Sequence, residues 1–117
     1  MQKKTQLRKK YFIIRKKNYY DIDKKFFLPL LKLMRFKFKK KKISLALYYP
    51  ANFELNVLKI LEYNYILAQD ILLPKIDKNF QMNFFPWKKN NVLFVNEFGM
   101  LEPSKTRSKI PNVMLVP

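Results

Sequence analysis

The sequence has no cysteine and no histidine, a single glycine, and no long uncharged run. Each absence removes a class of protein. Without cysteine there is neither a disulfide framework nor a thiolate metal site. Without histidine, the usual general base near neutral pH and the commonest metal ligand are both missing. A Ser-His-Asp triad or a zinc hydrolase centre cannot be assembled, so any chemistry must rest on Lys, Arg, Asp, Glu, Tyr or a bound cofactor. Uncharged stretches such as Ile43 to Phe53 and Phe80 to Trp87 fall well short of the roughly 20 residues of a membrane span. The apolar run Tyr11 to Ile14 is too short for the core of a signal peptide. These features predict a cytoplasmic protein with no membrane partner.

Acidic residues are also scarce, 8 against 25 Lys and Arg, for a formal net charge of +17. The excess is uneven: residues 1–42 carry 17 of the cations against only Asp21 and Asp23. A basic front half suggests a nucleic acid or an anionic surface as partner. Lysine outnumbers arginine 21 to 4, however, and reading bases or gripping phosphates favours the arginine fork. Lys, Asn, Ile, Phe and Tyr, all with A/T-rich codons, supply 58 of the 117 residues. Codon composition and a solvated helical face account for the charge, and no nucleic-acid partner is expected. A small basic nucleic-acid-binding protein is the alternative reading, and a non-catalytic interaction protein a third.

What is present suffices for a core. Apolar residues make up 49% of the chain and aromatics 16%, far above a disordered composition. The length fits one domain, 1–117, with a basic helical region over 1–42 and a sheet region over 43–117. Leu7, Tyr11 and Ile14 recur at helical spacing and predict a helix over 4–19 with that face buried. A second helix is predicted over 23–38, with Pro29 near its start. Lys39 to Lys42 reads as a charged connection.

Ile43 to Tyr49 is nearly all apolar, the pattern of a strand buried on both faces, and Pro50 ends it. Val57, Leu58, Leu61, Tyr65 and Ala68 share one helical face and predict a helix over 54–69. Ile71-Leu-Leu-Pro74 is a second short buried strand, which completes a strand–helix–strand unit of a parallel sheet. Phe80, Met82 and Phe84 alternate with polar residues as in a strand. Lys88 to Asn91 is expected to turn that strand back into Val92 to Val95. Asn112 to Pro117 is a third buried-strand pattern, and its running to the last residue predicts a sheet that continues beyond it.

Ligands of open parallel sheets bind beyond the C-terminal strand ends. Here those are Tyr49 to Glu54, Pro74 to Ile76 and the residues after Pro117. Glu54 fits either a ligand contact or a charge complementing a helix N-terminus. On the first helix Lys4, Arg8 and Arg15 fall within about 40° of one another and border the Leu7–Tyr11–Ile14 arc. Cations there either meet a partly desolvated anion or lay their stems over the edge of the core.

These pieces, in this order, resemble the 5-formyltetrahydrofolate cyclo-ligase family. The resemblance rests on Lys4-x-x-Leu7-Arg8 with Arg15, Ile43 to Tyr49 leading to Glu54, and Ile71-Leu-Leu-Pro74. It continues through Met82-x-Phe84, Gly99-Met-Leu-Glu102-Pro103 and Asn112 to Pro117, so it spans essentially the whole chain. It implies an α/β fold, with N-terminal helices followed by an open, largely parallel sheet that is truncated before its last strands and helices. It also implies a monomer that uses ATP and Mg2+ to convert 5-formyltetrahydrofolate into 5,10-methenyltetrahydrofolate. By the same resemblance Lys4 and Arg8 contact ATP phosphates with help from Arg15, and Tyr49 and Glu54 line the folate site. Met82 and Phe84 form its apolar wall, Glu102 and Pro103 carry no assigned role, and no protein metal ligand is implied. The family's glycine-rich ATP loop cannot be built from Gly99 alone. Residues 1–117 by themselves are therefore expected not to turn over substrate. Near-ultraviolet absorbance of an ATP-dependent methenyl product from purified 1–117 would contradict this.

Overall fold

A computed structural model describes residues 2–39, 42–62 and 68–117. Helix α1 (Gln2–Lys17) is followed by a 3₁₀ turn (Lys24–Phe27) and helix α2 (Leu28–Phe38). Strand β1 (Ile43–Ala46), a second 3₁₀ segment (Val57–Glu62), and strands β2 (Ala68–Ile76) and β3 (Met82–Pro86) come next. The short strands β4 (Phe94–Val95), β5 (Leu101–Glu102) and β6 (Val113–Met114) complete the order. The main sheet runs β3-β2-β1-β6, with β1 parallel to both β2 and β6 and β3 antiparallel to β2. The expected α/β class, helices followed by a largely parallel sheet, is what the chain forms.

β1 is central because almost nothing in it needs water. Leu45, Ala46 and Leu47 are buried, and the Leu47 N–H continues the ladder to the Leu72 C=O at 2.9 Å. α2 places Pro29 in its first turn, where no intrahelical N–H is lost, and Arg35 and Lys37 in its last turn, where cations suit the helix dipole. Phe27, Leu31 and Met34, spaced i, i+4, i+7, turn one face onto the core formed with Leu45, Leu47, Val57 and Ile60. The opposite sheet face is also covered: Ala46 and its partner Leu72 have no exposure. The return segment toward β6 is tied to the sheet by the Lys109–Asp70 ion pair and by the Lys109 N–H to the Phe84 C=O.

Four local expectations are corrected. The segment expected to be helical over 54–69 forms a 3₁₀ helix over Val57–Glu62, and Ala68 and Gln69 open β2; Tyr65 lies outside the described residues. Its dense apolar content lets Val57 and Ile60 plug the core through tight i+3 turns. Phe80 does not start β3 but sits in the β2–β3 turn at φ 60 and is 77% exposed. β4 pairs with β5 and not with β3. β6 is an edge strand with Met114 exposed, so its alternation buries one face only.

The two hairpin turns are built alike. Asp77 accepts the N–H groups of Asn79 and Gln81 on Oδ1, and Asn96 accepts those of Phe98 and Met100 in the same way. The fourth residue of each turn takes positive φ: Phe80 in the first and Gly99, at 74°, in the second. This is the three-residue loop closed by a left-handed residue that hairpins favour. The two tips touch, with the Phe80 and Phe98 rings 6.3 Å apart.

Candidate functional site

The parallel strands point their C-terminal ends to one side, and β1 is where the chain order reverses, since β2 lies on one flank and β6 on the other. That is where open α/β sheets hold ligands. A cleft of about 470 Å³ opens there, floored by Tyr48, Tyr49, Pro74 and Ile76 and walled by the β4–β5 hairpin. A second groove of similar volume, between the end of α1 and the loop after β1, shares Tyr48, Glu54 and Pro117 with it.

The cleft brings together three of the four residues expected to meet substrate: Tyr49, Glu54 and Met82. Phe84 is not part of it. It shares a strand face with Met82, but the cleft reaches only the end of β3, and Phe84 lies farther in, paired with Pro74. Glu54 is held by reciprocal bonds: the Ala51 N–H donates to Oε1, and the Glu54 N–H donates to the Ala51 C=O, both at 3.0 Å. Its other oxygen lies 3.6 Å from the Arg15 guanidinium. Tyr48 donates its hydroxyl to the Leu55 C=O at 2.8 Å. Burial, and then the negative charge of Glu54, push the Tyr48 phenol above its usual range, so it remains a protonated donor.

Arg15 reaches the site because α1 docks on the loop after β1. Phe53 sits edge-on to Phe12 and Tyr19, and the Lys16 ammonium lies over its ring. The docking face of α1 is therefore Phe12, Arg15 and Lys16. Leu7, Tyr11 and Ile14, expected to be buried, are 43%, 56% and 41% exposed. Lys4 and Arg8 remain on the exposed helix, Arg8 in a shallow surface groove with Lys9, Phe12 and Ile13. At 1.5 Å per residue they stand about 16 and about 10 Å up the helix from Arg15.

Several cleft residues escaped sequence reasoning: Tyr48, Asn96, Phe98, Met100 and Glu102. The available signal was the Gly99-Met-Leu-Glu102-Pro103 motif, whose start forms the hairpin turn and whose end is buried. Glu102 is only 6% exposed. Burial opposes its charge. The Ile76 N–H, the Asn96 side chain and the Lys75 ammonium outweigh that opposition and hold its carboxyl below the usual carboxylate range. Among the described residues no acidic cluster could hold a metal ion, and no helix is long and apolar enough to cross a membrane.

No protein-family model and no curated protein sequence matches the chain. Among solved structures, the chain is similar to the NMR structure of Aquifex aeolicus 5,10-methenyltetrahydrofolate synthetase, with a TM-score of 0.60 and 24% identity. The match covers 97% of this chain and 60% of that one, so the chain spans less than two thirds of its structural neighbour's length and has that synthetase's fold over the shared part.

Proposed function

We propose that the chain forms the folate-binding portion of an ATP-dependent 5-formyltetrahydrofolate cyclo-ligase. The observation that supports this most is the cleft at the parallel strand ends, which gathers Tyr49, Glu54 and Met82 and places Arg15 against Glu54. Its chemistry suits a flat, polar-edged ring. Tyr49 and Met82 supply apolar contact to ring faces, and the fixed carboxylate of Glu54 accepts from ring N–H donors. The Arg15 guanidinium, 3.6 Å away, helps to orient that carboxylate.

ATP, with magnesium held mainly through its oxygens, would supply the phosphoryl group that leaves as phosphate when the formyl carbon closes onto the neighbouring ring nitrogen. Lys4 and Arg8, on the exposed part of α1, supply positive charge for the triphosphate, with Arg15 as a helper nearer the cleft. The backbone cradle for it is not among these residues, because the only glycine forms the hairpin turn. The reading therefore rests on the folate side.

Isothermal titration of the 117-residue chain with 5-formyltetrahydrofolate should give saturable one-site binding. The heat should be little changed when salt is raised across the physiological range. Absence of binding up to millimolar ligand would remove the reading. Steeply salt-dependent binding of single-stranded RNA in its place would favour a nucleic-acid role for the basic α1.

A further inference from the structure

β2 is longer than β1 at the cleft end, which exposes part of its β1-facing edge. Leu72 closes the shared ladder by accepting from the Leu47 N–H. The next residue on that edge, Pro74, has no N–H to satisfy. The one after it, Ile76, donates its N–H to Glu102 Oε2 at 2.9 Å, a side chain standing where a neighbouring strand would be. The other oxygen, Oε1, lies 3.5 Å from the Lys75 ammonium. Glu102 ends the β4–β5 hairpin, which forms a sheet of its own with no ladder to the main sheet. The Asn96 side chain favours the Glu102 charge, and its Oδ1 accepts the turn N–H groups of Phe98 and Met100 at 2.9 Å. One buried carboxylate thus joins the end of β2 to the tip of the hairpin.

We infer that Glu102 is a positioning residue of the cleft: it fixes the wall carrying Phe98, Met100 and Leu101 opposite Tyr49 and Met82. Among the described residues the two tips also meet through the Phe80–Phe98 ring contact, which is apolar and weakly directional. Removing the charge takes away the Lys75 ammonium's counter-charge and weakens the bond from Ile76. The hairpin then loses its fixed place while its own strand pair survives. As a statement about ligand affinity, the inference rests on the folate reading of the cleft; as a statement about wall position, it does not.

The absence of native cysteine makes a direct test clean. Spin labels on Ala51→Cys and Glu97→Cys, both exposed positions, report the distance across the cleft. The unaltered site should give one narrow distance distribution, and Glu102→Gln should broaden and lengthen it. Circular dichroism should still show a folded chain. Lys75→Met, a partly exposed partner, supplies the same readout should Glu102→Gln fail to fold. An unchanged distribution in the variant that folds overturns the inference. In parallel, Glu102→Gln should weaken 5-formyltetrahydrofolate binding about tenfold or more, as expected for an unpaired buried donor set. If the parent chain binds no folate but the distances respond, the functional reading fails and the positioning role stands. Folate binding that is unchanged by Glu102→Gln, with unchanged distances, has the opposite meaning.

Discussion

Glu54→Gln should reduce affinity for 5-formyltetrahydrofolate by about tenfold to a hundredfold, the cost of losing a charged hydrogen-bond partner in a partly desolvated site. Affinity for ATP should change by no more than about threefold, since screening limits what one half-buried charge exerts at a distance. The substitution is close to isosteric. A glutamine oxygen can still accept from the Ala51 N–H, so the turn that places residue 54 is retained. What is lost is the negative charge facing Arg15 and the ability to accept on both oxygens. Arg8→Ala gives the opposite pattern if the exposed face of α1 meets the nucleotide, because Arg8 lies well up the helix from the cleft. Titrating both variants with both ligands decides the matter. Equal losses for the two ligands would mean that Glu54 and Arg8 do not serve separate sites.

Leu45→Ala should be the most damaging single change to stability, costing about 3 to 5 kcal/mol. Leu45 has no exposure and sits mid-strand in β1, with Ile71 beside it on β2 and Val113 on β6. Truncation therefore opens a cavity bordered by three strands and by the α2 face, which cannot collapse without breaking ladder bonds. A domain of this size holds only about 5 to 15 kcal/mol in total, so the variant is expected to lose much of its folded population at 37 °C. Leu33→Ala is the matched control. Leu33 is 61% exposed on the outer side of α2, and its loss should stay within about 0.5 kcal/mol. Urea melts followed by circular dichroism give both numbers. Similar losses for the two variants would mean that β1 is not the centre of the core.

β1 and β2 were legible in the sequence because a strand buried on both faces writes itself as an unbroken apolar run. Pro29 likewise marked an interruption near the start of the helical stretch expected over 23–38, where a 3₁₀ turn gives way to α2. α1 was legible as a helix but not in its orientation. Its docking face is chosen by Phe53, whose ring is aimed by two consecutive residues in the left-handed region, Asn52 at φ 50 and Phe53 at φ 62. Neither is glycine, and of the two only Asn52 is of a type enriched there, so the sequence announces the turn weakly. Glu54 and Tyr49 could be placed at the site because they follow a recognisable strand end. Glu102 could not. Its principal partner is a backbone N–H 26 residues earlier, left over only because β2 is longer than β1 and Pro74 has no donor. Such a vacancy belongs to the register of the strands and not to any local pattern.

The central position of β1 also sets the order in which the fold can come together. Its pairing with β2 closes a short stretch of chain, whereas its bond network to β6 joins residues 68 apart in sequence. Chain-closure entropy and the dependence of folding rates on contact separation make that second pairing the later event. Pro117, which follows β6, lines the cleft. The strand that brings Pro117 to the cleft is thus held by a long-range pairing. During folding the hydrophobic centre would therefore form before this side of the cleft.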